Sequence, residues 1–192
     1  MVSSIVILGP GSDDPRNHTN NTNETLSITH LGHLNEKGEE QMTAIEFLKT
    51  QHREAMAMIE TLEQKNGKGL DPAALAMFGK LKSALVFHTA VEEQIFYHEL
   101  ANDEATKNLI HDAYQEHRAV DELVVKLTTA TPDKFAGYLS ELKQEIAHHV
   151  DEEENDLFPE AERLLGRNKL EAMGYQLEQV KKGKSANLGK PF

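Results

Sequence analysis

The stretch His148-His149-Val150-Asp151-Glu152-Glu153-Glu154-Asn155-Asp156-Leu157-Phe158-Pro159 decides how this chain is read. It packs two imidazoles and five carboxylates into a run that otherwise reads as helix, and such a concentration of ionisable groups is costly unless something binds there. His149 and Glu153 are four residues apart, so on an α-helix they stand on one face, one above the other, as a chelating pair. The arrangement recurs upstream in His88-Thr89-Ala90-Val91-Glu92-Glu93, where His88 and Glu92 have the same spacing. Tyr97 and Phe158 each lie nine residues past their histidine. One H-x-x-x-E pair is weak evidence of a metal site; two matched copies are strong.

Working outward, apolar residues recur at steps of three or four from Thr43 onward (Ile45, Leu48, Met56, Ile59, Leu62), which predicts a first helix ending near Asn66-Gly67-Lys68-Gly69. Asp71-Pro72 supplies an N-cap and a first-turn proline for a long second helix to about residue 100. Leu109, Tyr114, His117, Val120, Val124 and Leu127 mark a third helix. Thr131-Pro132 opens a fourth with the same cap chemistry; it should kink at Pro159 and continue to Gly166. A short fifth helix is expected over 169–182. Short connections between long helices predict an all-α fold, an antiparallel up-down four-helix bundle. The expected organisation is an irregular N-terminal arm over 1–42, the bundle over 43–166, and a C-terminal helix and tail over 167–192. The arm's His18, His30 and His33 read as surface histidines, and its three Asn-x-Thr matches as chance products of an Asn/Thr-rich segment.

Composition narrows the function classes. At 192 residues the chain suits one domain with a real core. A net charge of −12 repels phosphate backbones and anionic lipid and favours cations. Nucleic acid and membranes are therefore not expected partners. No apolar run approaches the roughly 20 residues of a membrane-spanning helix, and Ile5-Val6-Ile7-Leu8 is too short for a signal-peptide core, so a cytoplasmic protein is expected. Zero cysteines exclude disulfides, thiolate ligands and cysteine nucleophiles. Any metal must be held by nitrogen and oxygen.

One histidine per predicted helix falls on the apolar stripe: His52, His88, His117 and His149. In an up-down bundle their heights agree to roughly 3 to 9 Å at 1.5 Å per residue. The halves also match, Gln51-His52-Arg53 and the first H-x-x-x-E resembling Glu116-His117-Arg118 and the second, as in a duplicated helical hairpin. Four imidazoles at one level with Glu92 and Glu153 are prohibitively costly in a core unless a cation compensates them. That donor set suits two borderline divalent ions, each with two histidines and the glutamates bridging; iron fits best, with zinc or manganese as possible substitutes.

The pattern H…H-x-x-x-E…H…H-x-x-x-E, with its E-E-x-x-F-Y and E-E-x-x-L-F-P tails, resembles the hemerythrin-like (HHE cation-binding) family over about residues 43–165. The resemblance implies a non-haem di-iron centre with His52, His88, Glu92, His117, His149 and Glu153 as ligands, and a function in binding or reacting with O2, NO or peroxide. An alternative within its range is iron or other divalent metal storage or delivery without redox catalysis, including repair of iron centres. Oxygen-carrying hemerythrins have a further histidine four residues before or after the one on the third helix; here those positions are Ala113 and Asp121, which argues against simple reversible oxygen carriage.

Neighbouring polar residues have blander readings. Tyr114, one turn before His117, is expected to fill the core rather than gate the site. Glu93, Glu152 and Glu154 sit 100° or more from the ligands around the helix and are expected on solvated faces. His98, His111 and His148 lie off the ligand stripe, at the surface or in a supporting position.

Overall fold

Local capping chemistry starts the first two helices of the bundle. The computed structural model describes residues 41–66 and 71–183, all within one unit spanning His33–Phe192. The expectations for the N-terminal arm, including its histidines and Asn-x-Thr matches, and for the tail past residue 183 fall outside the described residues. Helix α1 runs Ala44–Asn66. Thr43 and Glu46 start it with a reciprocal box: the Thr43 N–H donates to Glu46 Oε2 at 2.8 Å, and the Glu46 N–H to Thr43 Oγ1 at 3.2 Å. Helix α2 spans Pro72–Leu100, capped by Asp71, whose carboxylate accepts from the Ala74 N–H at 2.7 Å. Helix α3 is Lys107–Thr128.

Helix α4 begins at Pro132 and passes through a wide turn, Glu153–Leu157, into the stretch that starts at Phe158. Thr131 has the extended backbone of an N-cap, but its side chain makes no cap bond, so the cap chemistry of Asp71 is not repeated there. The helix is deflected at Gly166 (φ 68°, ψ 164°) rather than at Pro159. Only glycine takes that φ without strain, whereas Pro159 follows a π turn in the first turn of the renewed helix, where a missing N–H costs little. Helix α5 covers 167–181. At Gly174 it lies so close to the start of α1 that a Cβ would collide with the Met42 carbonyl oxygen.

The result is an all-α, antiparallel four-helix bundle with α1 against α2 and α4, and α3 against α4. Its core has two apolar layers. One, at the end of the α1–α2 and α3–α4 connections, includes Ile59, Leu62, Phe78, Leu81, Phe135 and Leu142. The other includes Leu48, Phe96, Tyr97, Phe158, Leu170 and Leu177, so α5 completes it. Between them lies a buried polar layer. Among the described residues α2 alone is long and apolar enough to cross a membrane by length and composition, at mean hydropathy 1.2 over its best window. Lys80, Lys82 and Glu93 interrupt its apolar residues, and it turns His88 and Glu92 into the polar layer.

Candidate metal centre

All six residues expected as ligands sit in the polar layer: His52, His88, Glu92, His117, His149 and Glu153 are buried, with Glu92 at 0 % exposure. Five of them, all but His117, bring one donor atom each to within 4.8 Å of one another. His117 is close by, its Nε2 being 3.3 Å from Glu92 Oε2. The same Glu92 oxygen lies 3.1 Å from His88 Nε2. Glu153 Oε2 lies 3.2 Å from His52 Nε2 and 3.5 Å from His149 Nε2. Each carboxylate thus faces histidines from both halves of the chain.

Both glutamates open a π turn. The Tyr97 N–H reaches back five residues to the Glu92 carbonyl, and the Phe158 N–H to that of Glu153. The first of these turns contains no proline, so Pro159 is not their cause. Such turns gather at functional sites, and here they coincide with the paired carboxylates.

The outer edge of each imidazole is held as well. Nδ1 of His52 donates to Glu154 at 3.0 Å, of His88 to the Gln51 amide oxygen at 3.1 Å, of His117 to Glu93 at 2.9 Å, and of His149 to Glu116 at 2.9 Å. The four bonds form a closed ring in which α1 orients the histidine of α2, α2 that of α3, α3 that of α4, and α4 that of α1. Glu93 and Glu154 therefore do not stand on purely solvated faces. A step of 100° around a helix lands on the flank beside its neighbour, and the wider π turn shortens that step, so a glutamate reaches the far edge of the next ring. Glu152 is half-buried and stays outside the ring, meeting the exposed His148 at 3.3 Å. His148 also lies 3.4 Å from Glu116. His98 and His111 are exposed.

The ring dictates proton positions. Three of its partners are carboxylates and the fourth contact is to the amide oxygen of Gln51, which places a hydrogen on each Nδ1 and, in the neutral imidazole, leaves the lone pair of Nε2 pointing inward. Inside, lone pairs face carboxylate oxygens: His52 Nε2, His88 Nε2, His149 Nε2, both oxygens of Glu92 and Oε2 of Glu153 are buried without a hydrogen-bond partner. Short N···O separations without hydrogen bonds, in a buried layer, are the signature of donor atoms arranged for a cation. The donor set fits one.

Electrostatics agrees. Burial lifts the Glu92 carboxyl well above its ordinary value, and the nearby Glu153 adds to this. Burial also opposes charge on Glu153, but the imidazoles of His149, His52 and His88 outweigh it and hold that carboxylate below its usual range. His52 and His149 are raised despite burial, because Glu153, Glu92 and their outer carboxylates prevail. His88, enclosed and facing other imidazoles, is pushed well down. Without a cation, protons on this layer must supply the positive charge.

Aromatic rings close one side. Phe158 stacks on His52 with centroids 5.9 Å apart, and Tyr97 on His117 at 5.7 Å. The Tyr97 hydroxyl donates to Glu153 Oε1 at 2.6 Å. Burial and the facing carboxylates push this phenol well up, so it keeps its proton. Tyr114 instead packs edge-on against Tyr97, half-buried. The other side opens into a cavity of about 20 Å³ between the four histidines and Ala55, Leu85, Val120 and Ile146.

A helical bundle with a buried layer of inward-facing imidazoles and carboxylates defines a class of proteins that hold metal cations between their helices. The chain belongs to the hemerythrin HHE cation binding domain family, whose model matches residues 43–172. Comparison with curated proteins and with solved structures gives no match.

Proposed function

We propose that His52, His88, Glu92, His117, His149 and Glu153 hold two divalent ions, iron foremost, and that the centre binds or reacts with a small ligand such as O2, NO or peroxide. The observation that carries this reading is the set of inward lone pairs left unpaired opposite two buried carboxylates. Iron, when bound, supplies redox chemistry and open coordination positions. The chain does the rest: the outer ring aims each imidazole, Tyr97 holds Glu153, and the apolar layers exclude bulk water. The cavity beside the histidines, at about 20 Å³, has room for a molecule the size of a water. That size favours a ligand of a few atoms over an organic substrate.

Anaerobic ferrous protein titrated with O2, NO and peroxide, after metal analysis, supplies the test. Near-UV charge-transfer bands are expected with at least one of them; a colourless, redox-silent protein would sink the reading. One observation favours storage or delivery instead: His148, Glu116 and His149 form a line of polar groups from solvent to the centre. Rapid exchange of the bound ions with free metal would support that alternative.

A further inference from the structure

The outer ring is symmetric except at one position. Nδ1 of His52, His117 and His149 meets a carboxylate, whereas that of His88 meets the neutral amide of Gln51. Gln51 and Glu116 are counterparts in the two halves, each preceding its helix's histidine. The rings also pair by half: His52 and His88 centroids are 4.9 Å apart, as are those of His117 and His149, against 6.0 Å for His52 and His149 and 6.1 Å for His88 and His149. Behind the second pair stand two carboxylates, Glu93 and Glu116, the latter also touching His148. Behind the first stand one amide and Glu154, which is further shared with Lys49 at 3.5 Å.

We infer that the two ion positions are unequal: the one between His117 and His149 fills first and binds more tightly, and Gln51 is the positioning residue that weakens the other. This rests on the two-ion reading above. A carboxylate behind a ligating imidazole makes it a more basic donor and adds attraction for the cation, and changing such a partner shifts metal affinity by about 10- to 100-fold. An amide oxygen orients the ring equally well but brings no charge. The chain therefore has a half-loaded form with its ion on the α3–α4 side.

Zinc titrated into the metal-free full chain, labelled with ¹⁵N-histidine and followed by NMR, reads the order of filling directly. The first equivalent should shift the His117 and His149 nitrogens and the second those of His52 and His88, with dissociation constants at least about tenfold apart by chelator competition. Gln51→Glu should bring the two constants together, and Glu116→Gln should weaken the first step by about tenfold. The wild-type titration decides the order without any variant. Two equivalents taken up with all four histidines shifting together would overturn the inference and leave the two-ion reading standing. So would a gap that Gln51→Glu does not narrow. Saturation below two equivalents would overturn both.

Discussion

The hydroxyl of Tyr97 donates a 2.6 Å hydrogen bond to Oε1 of Glu153, across the bundle from α2 to α4. Its counterpart in the other half is Phe158, which stacks on His52 as Tyr97 stacks on His117 but has no hydroxyl to offer Glu92. The duplicated site is thus asymmetric on its aromatic side, and only Glu153 has a protein donor there. Tyr97→Phe should lower the stability of the metal-free protein by roughly 1.5–3 kcal/mol, the range for a bond to a charged group. Because Phe already fills the equivalent place, packing should survive and both ions should still bind. Paired melts with and without metal check this.

The neighbouring glutamates separate a ligand from its support. Glu153→Gln should lose at least one ion per chain. Glu154→Gln should keep both at saturating metal but bind about 10- to 100-fold more weakly, since the bond to His52 Nδ1 and the ion pair with Lys49 change while every inward-facing donor stays in place. Metal content after gel filtration and chelator competition distinguish the two. Reversed roles would mean that the helical register is wrong.

The metal-free protein should be most stable in mild acid. His52 and His149 are raised above the ordinary 6.5, so their contribution is complete below that pH and is lost as pH climbs through their native values. Glu92, raised above 4.5, also costs stability as pH rises. Glu153 is held down, so its contribution is present above 4.5 and lost as pH falls, while His88, pushed down, opposes folding below 6.5. The optimum therefore falls between pH 4.5 and 6.5. Metal binding needs neutral imidazoles and ionised carboxylates, so its stabilisation should grow with pH. The melting-point gap between loaded and chelated protein should be wider at about pH 8 than at about pH 5.5; a constant gap would contradict this.

Gly174 tests the closing helix. A Cβ there would collide with Met42 O and lie 2.7 Å from the Thr43 carbonyl carbon, both backbone atoms that cannot swing aside. Gly174→Ala should destabilise the fold by about 1–3 kcal/mol while leaving metal stoichiometry unchanged, as calorimetry and metal analysis would show.

The bundle and the six inward residues were legible because both follow periodicity: apolar steps of three and four set the helices, and the i, i+4 spacing set each His–Glu pair on one face. The outer ring was not, because its partners come from different helices, and a single helical wheel consigns Glu93 and Glu154 to solvent. One signal was present. Gln51-His52 and Glu116-His117 were visible as a repeat, and the residue before each histidine proved to hold the next helix's ring. Tyr97 outranks Tyr114 for a similar reason, since its reach to Glu153 depends on how α2 faces α4. The deflection at Gly166 rather than Pro159 turns on a positive φ that the sequence permits without requiring.

If this polar layer holds two ions, the folded protein must take them up and keep them. Elemental analysis of the protein after anaerobic reconstitution with ferrous iron and gel filtration tests this most directly. Two ions per chain, lost on chelation together with a clear fall in melting temperature, are expected, since a ligand at a thousandfold excess over its Kd stabilises the native state by about 4 kcal/mol. A chain that retains no metal, or that melts at the same temperature once stripped, would contradict the account.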